Sequence, residues 1–295
     1  MAARPRVTPE QIRRRRVTAV IVVVVAAAAA VVAVAVALPH THTAAPPTTT
    51  ALPPPPKPFR IVFPEGFTRS TMADRVAAVA KIAEHKRGKP VVLARAPYLR
   101  ATTSLVVPCF TPHTQRKVEG FLFPATYDFL AKTTSKQLVA QQVKAFCVNW
   151  KTVNMSYARS KNLTPYDVLT IASLIQGEAV VESERATIAA VIYNRLHLRM
   201  PLGIDAALRY ALNIPGTESI HESQLQNPTP YNLRLHTGLP PTPINNPGLA
   251  SIRAAAHPAK VDYLYFVAKP DKRHHFFTAS ATAFQHYLCA HGYGC

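Results

Sequence analysis

The apolar positions form one long unbroken run and, after a gap, several short periodic sets. Val17 to Leu38 is Val, Ala, Ile and Leu broken only by Thr18, and as a helix that run is long enough to cross roughly 30 Å of hydrocarbon. Pro39 to Pro58 is the opposite, rich in Pro and Thr and containing the run Pro53 to Pro56. A segment of that kind buries no core and extends as a polyproline stalk. Phe59-Arg60-Ile61-Val62-Phe63 alternates as a short strand does, and Pro64-Glu65-Gly66 turns the chain. Met72, Val76, Val79, Ile82 and Ala83 then recur at helical spacing, with Asp74 and Arg75 on the opposite side. Val91 to Leu93 and Leu105 to Val107 read as further strands.

From Ser135 the residues Val139, Val143, Phe146 and Trp150 give an amphipathic helix to about Asn154, with Trp150 in the core. Thr164-Pro165-Tyr166-Asp167 starts another: Thr caps, Pro takes the first helical position and Asp returns the capping bond. Its apolar positions Val168, Leu169, Ile171, Ala172, Leu174 and Ile175 cover most of the circumference, so this helix is expected to be buried. Glu178 stands at its C-terminal end. A further helix through Ile188, Val191, Ile192 and Leu196 stops before Pro201, and Asp205 is placed to cap a helix over Ala206 to Leu212. Asn227 to Pro247 is a proline-rich loop, and Val261 to Val267 and Phe276 to Thr278 read as strands. The class is α+β, with an N-terminal transmembrane helix, a small subdomain and a larger mixed domain.

Charge settles which side of a membrane the rest occupies. Arg13 to Arg16 precede the apolar run and no Lys or Arg follows it until Lys57. The positive-inside rule therefore puts the N-terminus in the cytoplasm and the remainder outside, at the plasma (inner) membrane. A cleaved signal peptide competes with that reading, but signal h-regions run only about 7 to 15 residues. The chain has 34 Lys+Arg against 15 Asp+Glu, a formal net charge of +19, which favours polyanionic partners. Outside the cytoplasm these are anionic lipid and wall polymer, not nucleic acid. No phosphate loop, dinucleotide fingerprint or serine nucleophile elbow is present. The four cysteines Cys109, Cys147, Cys289 and Cys295 are expected to pair in an oxidising compartment. Three connectivities are open; a short Gly-containing loop lets Cys289 and Cys295 meet, which would pair Cys109 with Cys147, and sequence alone does not choose among them. The spacing of the C-terminal His and Cys residues fits no standard zinc site, so no metal and no cofactor are expected.

Among the carboxylates few are candidates for acid chemistry. Asp74 and Glu84 lie on the polar side of a helix, Asp167 is explained by capping, and Glu182 and Glu184 fall in a stretch expected to be solvated. Glu178 differs because the turns before it are almost wholly apolar. A carboxyl held there is desolvated and its pKa raised, as a general acid at neutral pH requires.

Several motifs then occur in order: Phe63-Pro64-Glu65-Gly66-Phe67-Thr68, Glu119-Gly120-Phe121-Leu122-Phe123-Pro124-Ala125-Thr126-Tyr127, Ala172-Ser173-Leu174-Ile175-Gln176-Gly177-Glu178-Ala179 and Tyr193-Asn194-Arg195-Leu196. They are followed by Thr229-Pro230-Tyr231-Asn232, Gly238-Leu239-Pro240-Pro241-Thr242-Pro243-Ile244 and Ala254-Ala255-Ala256-His257-Pro258. From Phe59 to about His286 the chain resembles the endolytic peptidoglycan lytic transglycosylases, the YceG-like family. The resemblance implies a lyase that cuts glycan strands between N-acetylmuramic acid and N-acetylglucosamine and leaves anhydromuramoyl ends. It carries the catalytic role onto Glu178, with Glu119 shaping the fold. Tyr231 and Asn232 offer a stacking ring and amide bonds to N-acetyl sugars, though both suit a turn as well, and Asp205 and Asn194 are further candidates for substrate contact. Where the family usually has a second glutamate two residues before the catalytic one, this chain has Gln176. The implied organisation is a cytoplasmic tail (1–16), a transmembrane helix (17–38), a linker (39–58), a LysM-like subdomain (59–115) and a catalytic domain (116–295). Peptidoglycan strands, the lipid bilayer and cell-wall synthases are the implied partners. The competing class is a non-catalytic tether that binds peptidoglycan.

Overall fold

The computed structural model describes residues 9–37, 56–103, 106–110 and 119–293. The chain divides into two units, Met1–Pro55 and Pro56–Cys295. In the first, helix α1 spans Pro9–Ala37, and its side chains along the expected apolar run are described as far as Ala28. Among the described residues no helix is long and apolar enough to cross a membrane. The linker expected at 39–58 falls outside the described residues up to Pro55.

The second unit is a mixed helix and strand fold, as the periodicities imply. Strand β1 (Phe59–Val62) pairs antiparallel with β2 (Thr126–Phe129), Phe59 opposite Phe129 with their rings stacked at 5.7 Å. This ladder crosses the boundary expected at residue 115. Helix α2 (Arg69–Arg87) begins where the Thr68 hydroxyl accepts the Thr71 N–H, and it buries Met72, Ala73, Val76, Ala80 and Ala83. The strand expected at Val91 to Leu93 is a loop, because single bonds hold it: Val91 N–H donates to Glu84 Oε1 at 3.0 Å and Val92 N–H to the Ala131 carbonyl at 3.0 Å. A short helix α3 (Arg95–Ala101) follows instead, its Pro97 tolerated in the first turn, where no N–H is needed. Val106 and Val107 are not strand either, and Leu105 lies outside the described residues.

Helix α4 (Ser135–Trp150) opens on a Thr134/Gln137 capping box. It stops at Trp150 rather than near Asn154, whose side chain accepts the Ser156 N–H that starts α5 (Ser156–Ser160). Trp150 is buried, 4.8 Å from the Phe110 ring and 5.6 Å from Phe146. The expected Cys109–Cys147 disulfide is formed and ties the Phe110 segment to α4. Closing a loop of this length stabilises by about 3–4 kcal/mol on the chain-entropy account. Cys289 is also disulfide-bonded, while its expected partner Cys295 lies outside the described residues.

Helix α6 (Pro165–Glu178) is the central element. Its reciprocal cap is as expected: Thr164 Oγ1 accepts the Asp167 N–H at 3.2 Å and Asp167 Oδ2 accepts the Thr164 N–H at 2.8 Å. Every residue from Val168 to Ile175 is buried, packed against α7 (Arg185–His197), α8 (Asp205–Leu212) and α10 (Leu249–Ala256). Truncating one of these, such as Leu169→Ala, costs roughly 2–5 kcal/mol. After a short α9 (Glu222–Leu225), β3 (Tyr265–Ala268) pairs antiparallel with β4 (His275–Thr278), and α11 (Ala281–Ala290) closes the fold. Strand β3 starts later than Val261 because the Val261 and Tyr263 carbonyls turn to α7 and accept the Asn194 amide. Glu184 is not solvated: Oε1 accepts the His275 N–H at 3.0 Å and Oε2 lies 2.7 Å from His275 Nδ1. Its partner is 91 residues away in sequence, so its immediate neighbours gave no sign of it.

Candidate active site

The buried stretch of α6 ends at Ile175, Glu178 is the last residue of the helix, and close packing brings a second helix onto this end. A Cβ at Gly177 would lie 3.0 Å from the Ala206 Cβ, so glycine lets the first turn of α8 approach the last turn of α6. That contact aims the Ala206 N–H at the Glu178 carboxyl. Glu178 is partly buried, and its pKa is pushed up to about 7, first by desolvation and then by the negative charge of Asp205. The Ala206 N–H and the Arg209 charge oppose that rise without cancelling it. Near neutrality the group is therefore present in both forms, which suits donation followed by recapture of a proton.

Asp205 does not cap α8. Ile204 occupies the cap position with no side-chain bond, and Asp205 is the first helical residue. Both its oxygens instead take the Arg234 guanidinium, at 2.6 Å from Nε and 2.8 Å from Nη2. Two charge-assisted bonds outweigh the single N–H bond a cap would offer. The structure thus does bring Asp205 to Glu178, as an electrostatic neighbour already held by arginine.

One turn further along α8, on the same face as Ala206, Tyr210 packs its ring against Tyr231 at a centroid distance of 5.5 Å. The Tyr231 hydroxyl lies 2.8 Å from Thr242 Oγ1, which fixes the ring while leaving it partly exposed. Asn232, next in sequence, is fully buried. Its Nδ2 donates to the Leu225 and Asn227 carbonyls at 2.8 and 2.9 Å, and Oδ1 accepts the Arg234 N–H at 3.2 Å. Asn194 likewise gives both amide hydrogens to Val261 and Tyr263, at 3.0 and 2.9 Å. The expected substrate contacts from these two amides therefore have no free donor, and both residues hold loops. Asn194 also borders a cavity of about 540 Å³ with Tyr157, Lys161 and Tyr193.

A second unusual carboxyl is Glu119, which the sequence marks as shaping the fold and not as a candidate acid. Glu119 is 3% exposed and its pKa is also pushed up to about 7, by burial above all. It accepts the Arg69 N–H at 3.0 Å, the Asn246 Nδ2 at 2.8 Å and the Tyr210 hydroxyl at 3.3 Å. The available signal was the same as for Glu178, an acidic residue against an apolar run, here the following Phe121-Leu122-Phe123.

Comparison with known proteins agrees with this arrangement. The profile of the YceG-like family matches residues 38–288. An endolytic murein transglycosylase of Bacillus subtilis is 38% identical over 160 residues, 54% of this chain and 44% of that protein. One from Streptococcus pneumoniae is 34% identical over 223 residues, 70% of this chain and 40% of that protein. The match therefore spans less than half the length of these relatives. The crystal structure of a YceG-like protein from Listeria monocytogenes superposes with a TM-score of 0.65 at 29% identity, covering 77% of this chain and 75% of that one. With a matching profile over most of its length and the same fold, the chain belongs to the YceG-like family.

Proposed function

We propose that this chain is a lytic transglycosylase that cuts peptidoglycan strands internally between N-acetylmuramic acid and N-acetylglucosamine, with Glu178 as its single acid and base. The observation that carries this reading is the setting of Glu178, a carboxyl pushed up to about 7 whose acidic neighbour Asp205 is bound by Arg234 through both oxygens. A glycoside hydrolase needs two working carboxylates flanking the bond. A transglycosylase needs one, because the sugar supplies the nucleophile. The proton of Glu178 passes to the glycosidic oxygen as its bond to the muramoyl C1 breaks. The muramoyl 6-hydroxyl then attacks C1 and returns its proton to Glu178, so the enzyme is regenerated, no water is consumed and an anhydromuramoyl end results. Tyr231, held by Thr242 and Tyr210, supplies a ring on which a sugar face can stack. The family membership and the relatives' activity support the same reading.

The proposal extends to placement. The run from Val17 to Leu38 behind Arg13 to Arg16 supports a single-pass anchor with a cytoplasmic N-terminus. It puts the second unit outside the membrane, with residues 59–115 as a LysM-like part and nascent strands and cell-wall synthases as partners. The test is Glu178→Gln in the full chain in detergent. Strand cleavage is expected to vanish while glycan binding persists, and full cleavage by that variant overturns the assignment.

A further inference from the structure

We infer that Gln176 is a positioning residue whose side-chain oxygen clasps three elements together and thereby fixes the last turn of α6, on which Glu178 stands. The inference rests on the reading of Glu178 as the acid. Gln176 Oε1 accepts the Gly248 N–H at 3.1 Å, the Ser251 hydroxyl at 2.8 Å and Arg185 Nη1 at 3.4 Å. Gly248 and Ser251 belong to the start of α10, and Arg185 is the first residue of α7. Arg185 Nη1 also donates to Ser251 Oγ at 2.6 Å, and Nη2 lies 3.7 Å from Glu65 Oε2, in the turn after β1. The carboxylate of Glu65 reaches this point over Gly248, where a Cβ would fall 1.9 Å from Glu65 Oε1. Helices α7 and α10 thus meet on one amide at the end of α6, and the turn after β1 joins them through Arg185.

Direction along the helix separates this residue from the chemistry. Positions two apart on an α-helix are about 200° apart around its axis, so Gln176 faces α7 and α10 while Glu178 faces α8. Among the described residues, every hydrogen bond of the Gln176 amide runs through its oxygen. The site asks for an acceptor, and it asks for no proton transfer. A carboxylate can do that work equally well, and an apolar side chain of the same length leaves the Gly248 N–H and the Ser251 hydroxyl without their acceptor, while the mostly buried Arg185 keeps Ser251 Oγ and Glu65. With the turn loosened, water reaches Glu178 and the desolvation that raises its pKa is relieved. The charged groups facing Glu178, Asp205 and Arg209 of α8, are untouched by such a change.

The experiment compares the full chain with Gln176→Leu and Gln176→Glu on purified glycan strands. Gln176→Leu is expected to lower kcat about 10- to 100-fold with KM within about 2-fold, the cost of misplacing a catalytic group, and to move the alkaline loss of kcat to lower pH. Gln176→Glu is expected to keep kcat within about 3-fold and not to move the alkaline loss to lower pH, since it restores the acceptor and an added negative charge does not lower the Glu178 pKa. Wild-type kcat and pH profile in Gln176→Leu, or a Glu variant that falls as far as the Leu variant, overturns the inference. Should Gln176→Leu fail to fold, Ser251→Ala removes one donor from the clasp. It should lower kcat by about 3- to 10-fold, and unchanged kcat there overturns the clasp. Titration of the Glu178 carboxyl by carbon NMR without substrate judges the two readings apart. A lower midpoint in the Leu variant supports the clasp and an equal midpoint overturns it, whereas a wild-type chain that cuts no strand overturns only the acid assignment.

Discussion

Glu119 and Glu178 have their pKa pushed up to about the same value, 7, and in both burial is the largest cause, yet the molecule treats them differently. Glu119 is enclosed by three donors from three places: the start of α2, the loop before α10 and the side of α8. Among the described residues, Glu178 has only the Ala206 N–H of α8 acting on it as a donor and keeps part of its surface open. A raised pKa therefore marks desolvation and does not by itself mark the acid. What separates the two is hydrogen-bond capacity left for a substrate.

The comparison breaks most sharply on activity. Glu178→Gln should reduce kcat by about 10³-fold or more, while Glu119→Gln, which keeps an oxygen toward Arg69 and Asn246, should stay within about 10-fold. Equal losses in steady-state assays would remove the distinction. On stability the order reverses. Glu119→Ala leaves three donors unpaired and should cost roughly 2–5 kcal/mol in urea unfolding, whereas Glu178→Gln costs nothing at acid pH.

A smaller effect sharpens the comparison through pH. With its pKa raised from 4.5 to about 7, folded Glu178 keeps a proton that the unfolded chain has already lost. Its stabilising contribution is complete below about pH 4.5, declines as pH rises to about 7 and is gone above that. Glu178→Gln should therefore match wild type near pH 4 and exceed it near pH 8 by about 1–3 kcal/mol, read as the difference in thermal or urea midpoints. A variant less stable than wild type at pH 8 contradicts the claimed desolvation. The smallest effect belongs to Asp205→Asn. Removing that charge lowers the Glu178 pKa, so the alkaline limb of kcat should move to lower pH, and a limb that stays put shows that Asp205 does not act on Glu178.

How much of this was legible depended on how far away each residue's partner lies. The cap of α6 is written in four consecutive residues, Thr164 to Asp167, and its burial in the apolar positions that follow, so the helix that presents Glu178 could be read directly. The disulfide between Cys109 and Cys147 is one of the three pairings that four cysteines allow, and only the fold selects it. Asp205 was misread because capping is a local rule, and its actual partner Arg234 stands 29 residues on. Glu184 shares that difficulty, with its partner 91 residues away, while the fold-shaping role expected of Glu119 is met by partners up to 127 residues away that sequence does not name. Asn232 and Asn194 were expected at the substrate from their place in motifs, but only the fold shows that their amides are spent on loop carbonyls. The same long-range contacts give Gln176 its work, which a window around α6 does not contain.

The most direct test of the central claim is the mass of the new chain ends made by the full chain on purified peptidoglycan strands. A single acid and base working with the muramoyl 6-hydroxyl predicts anhydromuramoyl ends, one water lighter than hydrolytic ones. Reducing ends would require a second working carboxylate and would contradict the account.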